Sequence, residues 1–230
     1  MGVASDFARR LLTTPWQLPA LIVVGWVVRV PLLSREEGHE AITRAAWDGL
    51  GLTRDQQRAL IWGVRTPDIG LSGVLTSALP FAQRRHALRS WSATTTQRGV
   101  EEMRAFMTDC HARALALPEG PRRWVTFGRL LHCLQDSYSP AHTERVDGRI
   151  VRMKHWGLLD QRRRTRSAPD GADEHGFPTD PRDSAWRGGR LTDEALAATS
   201  ASRRYLEIVT GQGALSLGEF LDDVAPLGGS

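Results

Sequence analysis

Three side chains in the stretch His132-Cys133-Leu134-Gln135-Asp136-Ser137-Tyr138-Ser139-Pro140-Ala141-His142 have the types and spacing of metal ligands. His132 and Asp136 stand one helical turn apart and so share a face. His142 follows Ser139-Pro140, a pair that ends a helix and folds the chain back toward that face. Imidazole and carboxylate together suit a borderline cation such as zinc. Amphipathic burial alone would not put a His and an Asp on the same face as Leu and Phe, and a buried pair of that kind is costly unless a cation lies between them. The segment is therefore expected to hold a metal.

Other residues become candidates in its company. His39 lies in Glu37-Gly38-His39-Glu40, on the first turn of a helix. Asp68 follows Gly63-Val64-Arg65-Thr66-Pro67, just past a helix end, and His86 lies in the basic stretch Arg84-Arg85-His86. His175 and Asp180 belong to an acidic loop, and His155 and Asp160 to an arginine-rich one. Taken singly, a helix histidine is usually exposed or satisfied in the core, and Asp68 could be an ordinary turn residue. His111, beside Cys110, is read as structural.

These positions depend on helices. Glu37 to Leu50 carries Ile42, Ala45, Ala46 and Leu50 at helical spacing and stops at Gly49-Leu50-Gly51. Thr53 with Gln56 forms a capping box for a helix to about Val64. A long helical stretch runs from about Phe81 to Leu117, with a break near Thr94 to Thr96. Pro121 opens the helix that carries His132 and Asp136. Thr192 caps a helix to about Val209, and a last one spans Leu217 to Val224. Strand-like alternation is confined to Ile150 to Met153, and residues 143 to 190 form a long polar excursion of the kind that belongs to a site. The expected fold is all-α: one compact helical domain over residues 35–230, with a metal-binding cleft between helices, preceded by an apolar segment at residues 1–34.

The chain has 230 residues, enough for a sizeable core. Its net charge of +4 invites a nucleic-acid or lipid partner, but among its 30 basic residues only Lys154 is a lysine. That skew is more like base composition than a phosphate-binding face. Cys110 and Cys133 fit no zinc-binding spacing and are read as buried thiols, a single disulfide staying open. The uncharged run Leu18 to Val28 is too short to span a bilayer, and no convincing cleavage site follows it. A buried helix, an interfacial segment or a signal peptide all fit, with secretion or membrane association slightly favoured.

Gly128-Arg129-Leu130-Leu131-His132-Cys133-Leu134-Gln135-Asp136-Ser137-Tyr138-Ser139-Pro140-Ala141-His142 resembles the G-x3-H-x3-D-x3-P-x-H signature of the zinc-dependent phospholipase C superfamily, which also holds the single-strand-specific zinc nucleases. The upstream order of a His on a helix, an Asp after Gly and Pro, then a His is similar too. The resemblance implies an all-helical fold with two or three zinc ions in a cleft. It implies that Asp68, His86 and His132 hold one ion, that Asp136 bridges to a second held by His39, and that His142 serves a third. The third site calls for a later His and carboxylate, for which His175 and Asp180 are preferred and His155 and Asp160 are second choice. Where secreted members use an N-terminal Trp beside the first His, this chain has none at an obvious processing point. Glu37, Glu40 or another group would have to substitute, or the centre is dinuclear.

Clustered zinc acidifies water and neutralises a phosphate in flight, which is the chemistry of phosphodiester hydrolysis. The resemblance gives Asp68 the added role of orienting the attacking water. Of eight tryptophans, Trp47, Trp62, Trp91 and Trp124 are read as packing inside, which weakens the case for a base-stacking platform. Arg65, Arg85, Arg89 and Arg145 lie near the motifs and could add phosphate contacts, but for each a surface salt bridge is the preferred reading. The expected activity is phospholipase C-type cleavage of a phospholipid at a membrane surface. A single-strand nuclease and a non-catalytic helical metal-binding module are the alternatives, and no obligate protein partner is inferred.

Overall fold

A computed structural model describes residues 38–68, 83–90, 93, 95–154 and 184–227. Its helices are α1 (Gly38–Trp47), α2 (Arg54–Arg65), α3 (Thr96–Ala116), α4 (Pro121–Asp136), α5 (Asp193–Val209) and α6 (Leu217–Val224). A short 3-10 turn, Arg84–His86, precedes α3. Two small antiparallel pairs complete the described residues: β1 (Thr143–Val146) with β2 (Arg149–Met153), and β3 (Trp186–Arg187) with β4 (Arg190–Leu191). The fold class is thus mostly α, as expected. No helix among the described residues is long and apolar enough to cross a membrane. The Leu18 to Val28 run, His155, Asp160, His175, Asp180 and Trp91 lie outside the described residues.

Several boundaries follow from capping chemistry. The Thr53 hydroxyl accepts from the Gln56 backbone N–H, and the Thr53 N–H donates back to Gln56 Oε1 at 2.8 Å, closing the first turn of α2. Thr192 caps α5, and Ser216 with Glu219 forms a second capping box on α6. Pro121 occupies the first turn of α4, where its missing N–H costs nothing.

α4 is the central strut. Its Trp124, Phe127, Leu130, Leu131 and Leu134 meet Leu60 of α2, Met103 and Met107 of α3, Tyr205 and Leu206 of α5, and Phe220 of α6 in one core. α2 and α4 approach unusually closely because each presents a glycine. A Cβ built on Gly63 would lie 2.4 Å from the Val125 carbonyl oxygen and 2.7 Å from Gly128 Cα. One on Gly128 would lie 2.5 Å from the Leu60 carbonyl oxygen. Both cysteines are buried free thiols.

Three expectations need correction. The helical stretch from Phe81 breaks near Thr94 to Thr96 as expected, but among the described residues before that break it is a short 3-10 turn and not an α-helix. After the 3-10 turn, Ala87 takes a left-handed backbone (φ 46°), and α3 starts afresh at Thr96 behind the Thr95 cap. That break lets the Arg89 N–H reach the Lys154 carbonyl, tying this segment to the end of β2. The polar excursion is not wholly irregular, since Thr143–Val146 pairs with Arg149–Met153 across the left-handed turn Asp147-Gly148. Asp-Gly between extended residues is a strong hairpin signal that the sparse strand alternation concealed. Trp62 does not pack inside; it is 56% exposed on the outer face of α2.

Candidate metal centre

The cluster begins with the α2–α4 glycine crossing. It brings the last turn of α2 against the C-terminal half of α4, so that the Val64 carbonyl accepts from His132 Nδ1 at 2.8 Å. His132 is fully buried. A carbonyl can only accept, so the ring carries its proton on Nδ1 and turns the lone pair of Nε2 inward. That nitrogen lies 3.1 Å from Asp136 Oδ2, one turn further along α4.

Asp136 gathers the remaining histidines. His39, near the start of α1, places Nε2 3.1 Å from Asp136 Oδ1. His86, on the 3-10 turn, places Nδ1 3.3 Å from Oδ2 and 2.9 Å from His132 Nε2. His142 reaches back after Pro140, its Nδ1 bonded to the His86 carbonyl and 3.9 Å from Asp136 Oδ2. Asp68, just past α2, lies 3.7 Å from both His86 Nδ1 and His132 Nδ1, and 3.9 Å from His39 Nε2. Two ligand triads result, His39–His132–Asp136 and Asp68–His86–His132, each with donor atoms within 4.8 Å of one another. Asp68 and His39 form the open side, about a third and a fifth exposed, and Asp136 and His132 the floor.

The electrostatics follow from that packing. Burial would push the Asp136 carboxyl up, but the rings of His132, His142 and His39 outweigh it and hold the acid well below the usual carboxylate range. Burial lowers the pKa of His86, against the pull of Asp136. Asp136 is therefore an anion at neutral pH, and burial disfavours a proton on the His86 ring.

Whether a cation fits is decided at Asp136 Oδ2. This oxygen is buried and has no hydrogen-bond partner. Its nearest neighbour, His132 Nε2, has no proton to donate to it, because the ring proton is committed to Val64 and Nε2 itself lies within hydrogen-bond distance of His86 Nδ1. Two acceptors lie 3.1 Å apart in the buried interior, an arrangement that a cation between them relieves. Nitrogen and oxygen donors of this kind suit a borderline divalent cation, zinc among them. His142 stands outside both triads, and its expected partners lie outside the described residues.

The surrounding polar residues depart from expectation. Glu40 is no substitute ligand: its carboxylate is 2.6 Å from Arg65 Nε and 3.6 Å from Arg44. Arg65 thus makes a largely buried ion pair rather than a surface one, and Arg89 is buried. Arg85 is half-buried beside like charges, its pKa lowered by burial and then by Arg129. Arg145 is no surface salt bridge either. It donates to the carbonyls of Ser137, Gly148 and Val224 at 2.7–2.8 Å and stacks on Tyr138, pinning the turn that follows Asp136.

Sequence reasoning passed over Gln135, which receives His39 Nδ1 at 2.9 Å. An amide on the buried side of an apolar helix, one residue before Asp136, was the available signal. A shallow groove of about 520 Å³ on the outer side of α1 and α2 was also missed. It is lined by Trp47 and Trp62 among Arg44, Arg54, Arg58 and Arg65.

Comparison with known proteins gives no further guide: no family model matches the chain, and no curated protein or solved structure is significantly similar to it.

Proposed function

We propose that this chain is a zinc-dependent phosphodiester hydrolase that acts on phospholipids in the manner of a phospholipase C. The observation that carries the reading is the orphaned oxygen of Asp136, a member of one of two His/Asp triads that share His132. His39, Asp68, His86, His132 and Asp136 would hold the ions, with His142 at the edge. Bound there, zinc supplies Lewis acidity toward a phosphate oxygen and toward water near neutral pH. The chain's own part is arrangement. The Val64 carbonyl fixes the His132 ring, Asp136 holds its negative charge against burial, and Asp68, at the open side, is placed to orient a water molecule with its carboxylate. The resemblance of the His132–His142 segment supports hydrolysis of phosphodiesters, and the apolar run before residue 34 supports a lipid surface as its setting.

A second reading, hydrolysis of single-stranded nucleic acid, is favoured by one specific observation. Trp62 lies open in a groove with four arginines, an aromatic platform beside cations of the kind that single strands use. Elemental analysis of purified protein, with chelator-sensitive release of phosphorylated headgroup from liposomes, tests the first reading. Two or more zinc per chain with headgroup release supports it. Cleavage of single-stranded DNA without headgroup release transfers the assignment to the second. One tightly held ion with no hydrolysis of either substrate identifies a structural metal module.

A further inference from the structure

We propose that Gln135 is a positioning residue that selects which nitrogen of His39 faces the metal. The proposal rests on the metal-centre reading given above. Gln135 lies one turn after His132 and one residue before Asp136, so its side chain leaves α4 beside the ligands. Its Oε1 is 2.9 Å from His39 Nδ1. Its amide nitrogen donates to Thr43 Oγ1 at 2.9 Å, on α1, and to Ser202 Oγ at 3.3 Å, on α5. Gln135, Thr43 and Ser202 are all buried, at 3%, 0% and 0% exposure.

The two hydroxyls hold the NH₂ end of the amide and so turn its carbonyl toward His39. A carbonyl only accepts, so the His39 proton resides on Nδ1. Nε2 then presents its lone pair toward Asp136 Oδ1 and Asp68 Oδ2, at 3.1 and 3.9 Å. An apolar side chain at 135 removes the acceptor at Nδ1. The proton then moves to Nε2, where Asp136 Oδ1 accepts it, and the ring changes from a metal ligand into a hydrogen-bond donor. Thr43, Gln135 and Ser202 thus link α1, α4 and α5 into one device whose output is the tautomer of His39.

The test compares Gln135→Met with Gln135→Glu in the full chain. Met keeps the length and apolar packing and removes the acceptor. Glu keeps the acceptor, and the two hydroxyls can rotate to donate to it. Zinc stoichiometry and affinity are measured by competition with a chromophoric chelator, and the ligand field by cobalt absorption. Wild type and Gln135→Glu are expected to retain the ion on the His39 side. Gln135→Met is expected to bind it roughly 10- to 100-fold more weakly. Metal-free Gln135→Glu should in contrast be less stable than metal-free Gln135→Met, because a buried charge costs more than a methionine. That opposite ranking is what a merely structural role would not produce. Wild-type affinity in Gln135→Met overturns the proposal, as does metal loss in both variants that simply follows their lost stability. If Gln135→Met does not fold, Thr43→Val with Ser202→Ala releases the amide instead, and unchanged zinc affinity there overturns the proposal. A wild-type protein that binds no metal overturns the reading of the centre itself.

Discussion

Gly63 and Gly128 meet backbone to backbone, and a Cβ on Gly63 would sit 2.7 Å from Gly128 Cα. This contact sets the height of α2 on α4, and with it the bond between the Val64 carbonyl and His132. Gly63→Ala is expected to cost about 3 kcal/mol, since backbone cannot move aside as a side chain can. The same substitution should lower zinc affinity, because it shifts the group that fixes His132. Denaturant unfolding of the metal-free protein, paired with a zinc titration, checks both effects. Normal stability with normal affinity would mean that the helices tolerate separation.

Asp136→Asn removes the charge toward which His39, His86, His132 and His142 converge. The variant is expected to lose more than one zinc per chain and to lower turnover by more than about 100-fold. Elemental analysis and headgroup release read the two effects separately. Near-normal turnover would remove Asp136 from its bridging role.

Removing the metal from wild type should lower its stability by mass action. With free zinc at a hundred times its dissociation constant, the loss is about 2.7 kcal/mol, or roughly 5–10 °C for a chain of this size. Thermal melts before and after chelation, and again after zinc is restored, measure it. Magnesium should not substitute, because imidazole is a poor ligand for it.

His111 lies away from the centre and bonds Tyr205 through Nδ1 at 3.1 Å. Burial lowers its pKa from the ordinary 6.5. As pH falls, the unfolded chain therefore takes up the proton before the folded one does. Stability from this group is complete above about pH 6.5 and declines below that value until the folded ring also protonates. In metal-free protein, the stability advantage of wild type over His111→Asn should shrink between pH 7.5 and 5.5. An advantage that stays constant with pH would exclude His111 from the transition.

Arg145→Lys keeps the charge and loses the fork. One ammonium cannot serve the carbonyls of Ser137, Gly148 and Val224 while covering Tyr138. A cost of about 2–3 kcal/mol is expected, read as a lower denaturation midpoint. Because the clamp holds the turn between Asp136 and His142, the cobalt spectrum should change as well.

Much of this was legible in the chain because local chemistry set it. The capping box at Thr53, the cap at Thr192, Pro121 and the helix from Leu217 to Val224 are each fixed by a few neighbouring residues, and they appear where those residues place them. The proximity of His132 to Asp136 was also legible, being one turn of one helix. What escaped depends on contacts between distant segments. The exposure of Trp62 is set by which face of α2 the glycine contact turns inward. The break at Ala87 is held by bonds to Lys154 and His142, which no reading of residues 81 to 95 contains. Gln135 gives no periodic signal, because its partners arrive from α1 and α5. The Asp147-Gly148 turn was legible and was passed over.

The residues around Asp136 come from four separate stretches of chain: the start of α1, the segment after α2, the 3-10 turn, and the end of α4 with the turn that follows it. Both thiols are free and the described residues contain no disulfide. An ion held at this junction would therefore do what a crosslink does in other small proteins. It would close loops between positions 39, 68, 86 and 132 and remove much of their freedom from the unfolded chain. Losing it would first loosen the ligand-bearing ends while α2, α3 and α5 stay packed on α4, so a chelated sample should become open to proteolysis near residues 38–40, 66–68 and 84–86 before it melts.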